Sequence, residues 1–180
     1  MNDMDIYQSA EDSYFLQKFV RRYATGRVLD VGTGSGIQAL TAMEVPSVRE
    51  VVALDINPKA VEALKQEIEK RKLRKIKAVK SDLFEAVEGS FNVVIFNPPY
   101  LPQDKGIEDK AIYGGKKGWE ISERFFKDVS NHLFPEGIVL FLFSSLTNKQ
   151  KIEEILEHNL LQWEELGREK IAFEELFVYR

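Results

Sequence analysis

The tetrapeptide Asn97-Pro98-Pro99-Tyr100 closes the apolar run Phe91-Asn92-Val93-Val94-Ile95-Phe96, and its residue types suit chemistry at a planar nitrogen. Two prolines fix the backbone and donate no hydrogen bonds, so the carbonyls before them are free to face a ligand. The Asn97 side-chain oxygen and the Pro98 carbonyl can then accept two N–H bonds from one nitrogen. Tyr100 offers an aromatic face for a planar group. The arrangement answers a specific chemical difficulty, because the lone pair of an amide or aryl-amine nitrogen is delocalised. Two fixed acceptors hold the N–H bonds, turn the lone pair towards an electrophile and stabilise the positive charge that grows on nitrogen during in-line transfer. No general base of tuned pKa is then required. His132 and His158 fall in predicted helices away from strand ends and read as ordinary helix or surface residues. Taken alone, Asn-Pro reads equally as a rigid turn after a strand.

A second constellation precedes it. Asp30-Val31-Gly32-Thr33-Gly34-Ser35-Gly36 ends one apolar run and opens a helical pattern, where glycines allow a tight turn and close approach of backbone to a nucleotide-like ligand. A dinucleotide fingerprint would place its third glycine at position 37, which is Ile; the third glycine comes one residue early, which argues against a pyrophosphate-cradling turn. Asp55 ends the next apolar run, 19 residues past Gly36, where a carboxylate can accept both ribose hydroxyls. Asp82, in Ser81-Asp82-Leu83, ends a third run and reads either as an acceptor for an adenine amino group or as a helix or turn cap. Together the two constellations point to transfer of a methyl group from S-adenosylmethionine to an amide-like or exocyclic nitrogen.

The elements that must position these residues follow from the hydrophobic pattern. Short buried strands are predicted at 27–32, 51–55, 76–80, 91–96 and 138–143, and helices at 9–22, 37–43, 58–73, 119–132 and 149–158. Two closing strands are expected within 161–168 and 172–179 with little between them, hence an antiparallel hairpin. Residues 101–118 carry four glycines without a clear period and read as a long loop, the candidate substrate loop. Alternating strands and helices imply a Rossmann-like α/β fold, a seven-stranded and mostly parallel sheet with helices on both faces, which binds ligands at strand carboxyl ends. All the chemical motifs fall there.

At 180 residues one domain, 1–180, is expected, with 1–26 as a helical extension. Hydrophobic residues make up 44%, enough for a core, and the net charge of −4 does not suggest a whole-protein grip on nucleic acid. Cysteine is absent, so neither disulfides nor thiolate metal sites are expected. The acidic N-terminus lacks signal-peptide character, no apolar run is long enough to span a membrane, and a cytoplasmic protein is expected.

The motifs at 30–36 and 97–100 resemble those of the class I methyltransferases of the HemK family, which methylate the glutamine of the Gly-Gly-Gln motif in class I release factors. Residues 6–16, Ile-Tyr-Gln-Ser-Ala-Glu-Asp-Ser-Tyr-Phe-Leu, resemble the N-terminal signature of the short archaeal and eukaryotic branch, and residues 113–126 resemble its sequence after the NPPY motif. The resemblance spans essentially the whole chain. It implies that the segment from Asp30 through Thr33 is the cofactor loop, with Gly32, Gly34 and Gly36 lining the methionine and ribose and Asp55 binding the ribose. Asp82 and Leu83 would hold the adenine, with Ile56 as an apolar wall. Asn97 and Pro98 would grip the substrate amide beside Pro99, Tyr100 would stack on it, and Asn97 would also border the cofactor. Glu11, Asp12 and Ser13 would close over the amino-acid end of the cofactor, although Ser9 and Asp12 also have capping-box spacing, so helix initiation is an equal account.

The family usually has proline where Ser9 stands and a more acidic segment than Gly115-Lys116-Lys117-Gly118, the expected wall for the substrate. No counterpart is expected to the helical domain with which the bacterial enzymes dock the release factor, since 1–26 leaves room for one helix. The branch resemblance also implies a small zinc-binding activator subunit. The 76–80 strand is an expected sheet edge: a partner strand can extend it, or its lysines protect it from pairing. The basic run between Lys65 and Lys80 reads as a patch for RNA or for a ribosome-bound release factor, or as a solvated helix end. Competing functions are N-methylation of adenine or guanine in RNA or DNA, a broader protein lysine methylation, and a non-catalytic cofactor-binding module.

Overall fold

The β-branched and aromatic runs read as buried strands do form the centre of a sheet in the computed structural model, which describes residues 9–100 and 115–180. In chain order the elements are α1 (Glu11–Tyr23), β1 (Gly26–Val31), α2 (Ile37–Glu44), β2 (Val48–Asp55), α3 (Pro58–Lys70), β3 (Ile76–Lys80) and β4 (Phe91–Phe96). There follow α4 (Glu120–Val129), β5 (Leu133–Ser144), α5 (Lys149–His158), β6 (Glu165–Ile171) and β7 (Glu174–Tyr179). The seven strands lie in the order β3-β2-β1-β4-β5-β7-β6; β1 to β5 pair in parallel, and β7 pairs antiparallel with both β5 and β6. The expected sheet and hairpin are therefore present.

Register does the positioning. Val31 lies opposite Leu54 on one side and Phe96 on the other. The residues that follow these three, Gly32, Asp55 and Asn97, consequently emerge side by side at the carboxyl ends, where strand order reverses between β1 and β4.

Strand alternation divides the core into two layers of different character. Beneath α1, α2 and α3 the packing is aliphatic, with Val28, Val51, Ala53, Val93, Ile95 and Leu140 meeting Leu16, Val20, Ala39 and Leu64. Beneath α4 and α5 it is aromatic: Phe96 stacks on Phe125 at 4.0 Å between centroids, Phe125 meets Phe126 edge-on, and Phe141, Phe143 and Phe177 continue the row. Such pairs add roughly 0.5–1.5 kcal/mol each beyond their buried area. Phe96 is thus anchored directly before the NPPY turn.

Several boundaries depart from the sequence expectation. β2 begins at Val48 because Glu50, polar and thus missed, bridges Arg27 of β1 and Lys77 of β3 at 2.8 and 3.0 Å. β5 begins at Leu133, its pairing with β4 interrupted between Leu133 and Ile138. Pro135 and Gly137 hide that strand in the sequence, and Gly137 is packed so closely that a Cβ would lie 2.8 Å from the Phe91 carbonyl oxygen. β6 lies at Glu165–Ile171 rather than within 161–168, because a largely polar edge strand carries no apolar run to mark it. α3 ends at Lys70, and the helix expected to reach His132 ends at Val129 in a 3₁₀ turn. The capping box is absent: Ala10 is the N-cap of α1 and no side chain caps it, since Ser9 bonds to Ser35 at 2.7 Å and Asp12 turns elsewhere. Within the basic run Arg71 pairs with Glu67, Lys75 donates to the Val48 carbonyl, and Lys77 pairs with Glu50. β3 is a sheet edge, as expected. Residues 1–8, which include the first three of the N-terminal signature, and 101–114 of the expected loop lie outside the described residues. No helix among the described residues is long and apolar enough to cross a membrane.

Candidate active site

The glycine loop is built around two carboxylates. Asp30 is buried, and its Oδ2 accepts hydrogen bonds from the Thr33 hydroxyl at 2.6 Å and the Ala39 N–H at 3.1 Å, pinning the loop to the first turn of α2. Burial pushes its pKa up to about 7, partly offset by those two bonds and reinforced by the charge of Asp55. Thr33 is itself buried by this contact. Asp55 accepts from the Gly34 N–H on one oxygen and the Asn57 N–H on the other, both at 2.8 Å. Burial raises its pKa against the lowering effect of these N–H groups. The Ile56 N–H also bonds to this carboxylate, which with about four lone-pair sites keeps acceptor capacity for a ligand hydroxyl.

Two of the glycines are required for different reasons. Gly36 takes φ +84° at the start of α2, and a Cβ there would meet Leu64 Cδ1 at 2.8 Å. Gly32 takes φ +69°, but a Cβ there would meet nothing within 4 Å. Its missing side chain leaves open space in front of the loop, which is the requirement for backbone approach by a ligand. Ile56, 45% exposed, stands beside Asp55 as an apolar surface.

Asp82 and Leu83 lie across the β3 end. The turn there is tied by Ser81, whose hydroxyl donates to the Leu83 carbonyl and accepts from the Ala86 N–H. The carboxylate of Asp82 is thereby released from capping and pairs with Arg124 of α4 at 3.0 Å. Leu83 adopts φ +47°. A cleft of about 390 Å³ runs from Asp82 and Arg124 to His132, whose ring stacks on Phe84 at 4.5 Å. His132 therefore borders this cleft, which its helix-face reading did not anticipate. Among the described residues no three His, Cys, Asp or Glu side chains gather as metal ligands.

The NPPY turn contrasts with all this. The Asn97 side chain donates through Nδ2 to Asp12 Oδ2 at 2.9 Å, while its Oδ1 is buried and has no hydrogen-bond partner among the described residues. Pro98 is buried and Pro99 half-buried. Tyr100 is held by its carbonyl, which accepts from Thr147 at 3.3 Å. Its hydroxyl pKa is driven upward by burial and by the charges of Asp12, Glu174 and Glu11. The phenol stays protonated, and the same acidic surroundings favour positive charge developing nearby.

The resemblance grouped Glu11, Asp12 and Ser13 as one closing segment; the fold gives them separate environments. Glu11 is exposed, Ser13 is buried, and Asp12, 3% exposed, accepts from the Ser13 N–H at 2.6 Å while gripping Asn97. Gln38 of α2 donates to the Ser13 carbonyl at 2.8 Å, and its buried Oε1 has no partner among the described residues. Sequence reasoning missed Gln38, Arg124 and the Asp12–Asn97 bond. No local pattern marks them, since each joins elements distant along the chain.

Comparison with known proteins agrees with this geometry. The family model described as "Methyltransferase small domain" matches residues 11–171. A Methanocaldococcus jannaschii protein assigned as a protein N5-glutamine methyltransferase is 37% identical over 179 residues, covering 97% of this chain and 90% of its own. Human methyltransferase HEMK2 is 29% identical over 88% of this chain and 80% of its own. The release factor glutamine methyltransferase of Deinococcus radiodurans is 32% identical over 67% of this chain, which spans only 46% of that longer protein. Among solved structures, the E. cuniculi Mtq2–Trm112 complex, responsible for methylation of the eRF1 translation termination factor, superposes with a TM-score of 0.78 at 27% identity, over 98% of this chain and 97% of the matched one. A doubly wound sheet with NPPY at its switch point, a family model across most of its length and a 37% identical relative matched nearly end to end establish that the chain belongs to the HemK family of methyltransferases.

Proposed function

We propose that this chain transfers the methyl group of S-adenosylmethionine to the side-chain nitrogen of the glutamine in the Gly-Gly-Gln motif of a class I release factor. The observation that carries the reading is the Asn97 Oδ1: buried, unpaired among the described residues, and held in place by Asp12. A buried acceptor left empty costs roughly 1–3 kcal/mol, and a substrate N–H removes that cost on binding. The names of the M. jannaschii and D. radiodurans relatives support a glutamine acceptor.

The residues present fit the cofactor: open space lies before Gly32, and the Asp55 carboxylate keeps acceptor capacity beyond its backbone N–H partners. Gly32, Gly34 and Gly36 would line its methionine and ribose, Asp55 the ribose hydroxyls, Asp82 and Leu83 the adenine, Ile56 its apolar face, and Glu11 and Ser13 its amino-acid end. When bound, S-adenosylmethionine supplies an electrophilic methyl group. Asn97 Oδ1 and the Pro98 carbonyl accept the two N–H bonds of the glutamine amide and present its lone pair, while Tyr100 stacks on the amide plane. As nitrogen becomes positive these acceptors strengthen their hold, and the acidic field around Tyr100 adds to it. No side chain is needed to take the proton before transfer: the N–H acidifies as the new N–C bond forms, and its proton then passes to water.

The complex formed by the E. cuniculi protein supports a small activator subunit as partner; its zinc binding is what the family resemblance implies, and the β3 edge is its proposed docking strand. The reaction would take place in the cytoplasm, alongside the translation machinery. A labelled-cofactor assay tests the reading, with purified release factor, tRNA, rRNA and DNA as acceptors, each with and without the activator subunit. The expected product is a single methyl on the Gly-Gly-Gln glutamine by peptide mass spectrometry. Label confined to nucleic acid, or to lysines, overturns the substrate assignment.

A further inference from the structure

The geometry points to Asp12 as the positioning residue that fixes which face of the Asn97 carboxamide meets the acceptor nitrogen. The inference rests on the reading of Asn97 Oδ1 as the substrate acceptor. An Asn side chain carries a donor and an acceptor at positions of nearly equal shape, and in a buried site it can sit either way round. One orientation presents an oxygen to the substrate N–H. The other presents an NH₂ group, which repels it.

Asp12 removes the choice. Ionised, it has only acceptors, and its Oδ2 lies 2.9 Å from Asn97 Nδ2, so the amide must turn its nitrogen towards Asp12 and its oxygen away. That oxygen is the buried, unpaired Oδ1. Asp12 is itself fixed: it is 3% exposed and its Oδ1 accepts from the Ser13 N–H at 2.6 Å. Ser13 in turn is tied to α2, because Gln38 donates to its carbonyl at 2.8 Å. The start of α1 therefore joins the helix that follows the glycine loop to the NPPY turn, across 85 residues of sequence between Asp12 and Asn97. The negative charge at the far end of the amide also polarises it, enriching Oδ1 and improving it as an acceptor for a nitrogen that turns cationic. A residue assigned by resemblance to the cofactor's amino-acid end is, on this geometry, directed at the methyl acceptor.

A reciprocal exchange tests this. Asp12→Asn can donate to Asn97, which then flips and loses its outward oxygen. With purified class I release factor and labelled S-adenosylmethionine, kcat is expected to fall about a hundredfold, the scale for removing one preorganised polar contact at a reacting centre. Cofactor Kd should stay within twofold. Adding Asn97→Asp to Asp12→Asn places a carboxylate at 97 that accepts from the amide at 12 and still offers an oxygen outward. The double variant is expected to exceed Asp12→Asn, and also Asn97→Asp alone, by at least tenfold in kcat. If Asp12→Asn folds poorly, the double variant measured against Asn97→Asp decides the matter. An acceptor-independent readout is the Asn97 side-chain amide signal in ¹⁵N NMR, expected to exchange slowly with solvent in the wild type and to shift and exchange fast in Asp12→Asn. Unchanged kcat and NMR signal in Asp12→Asn, loss traced to cofactor binding, or a double variant no better than Asn97→Asp each overturn the inference. An inactive Asn97→Ala with a fully active Asp12→Asn sinks only the inference. A fully active Asn97→Ala sinks the reading beneath it.

Discussion

In the glycine-loop half of the site the described carboxylates are met from within the chain: Asp30 by Thr33 and Ala39, Asp55 by Gly34 and Asn57, Asp82 by Arg124. In the NPPY half, Asn97 is held on one side by Asp12 and left empty on the other. The carboxylates of the first half are fixed before any ligand arrives. The second keeps one buried acceptor in reserve, so its energetic reward comes only with a donor in place, where differential binding is useful for catalysis.

The difference can be broken most severely at Asn97. Asn97→Ala should lower kcat a hundredfold or more while cofactor affinity, measured by calorimetry, stays nearly unchanged. An equal loss of both would mean that the two halves are not separable. Within the glycine loop the contrast sharpens between two positions of similar backbone. Gly36→Ala and Gly32→Ala both force a left-handed φ on a side chain, costing roughly 1–2 kcal/mol by thermal unfolding. Only Gly32→Ala puts a methyl into the open space before the loop, so it alone should weaken cofactor binding beyond about tenfold, which a titration of both variants reads directly.

Asp30 gives the scaffold a pH signature. Its folded-state value of about 7 lies above the 3.8 of a free carboxyl. Between those values the folded chain holds a proton that the unfolded chain releases. Its contribution therefore declines as pH rises from about 4 to about 7 and is level above that. The thermal midpoint of the wild type should fall relative to Asp30→Asn between about pH 4 and pH 7; parallel curves would place the charge elsewhere. The smallest effect belongs to Arg124→Ala. Arg124 is more than half exposed, so losing its pair with Asp82 should cost under about 1 kcal/mol and alter cofactor affinity by only a few-fold.

How much of this was legible depended on whether the signal was local. The NPPY turn, the three glycines, Asp55 and the strands at 76–80 and 91–96 were readable because turn chemistry and short apolar runs are fixed by neighbours in sequence. The start of β5 was not, since Pro135 and Gly137 imitate a loop where the strand bulges. The expected capping box failed for a related reason: Ser9 and Asp12 had the right spacing, but tertiary partners at Ser35 and Asn97 outcompeted the local backbone.

By itself the sequence determined the family, the sheet with its helices, and the residue types that can hold a planar nitrogen, because periodicity and motif spacing are properties of contiguous chain. Only the tertiary structure decided that Asp82 answers to Arg124, that Asp30 and Thr33 face inward as a pin, and that Asp12 grips Asn97. Those are choices among hydrogen-bond partners of similar intrinsic strength. They are made by whichever group the packed sheet register brings within 3 Å, and no spacing along the chain encodes that distance.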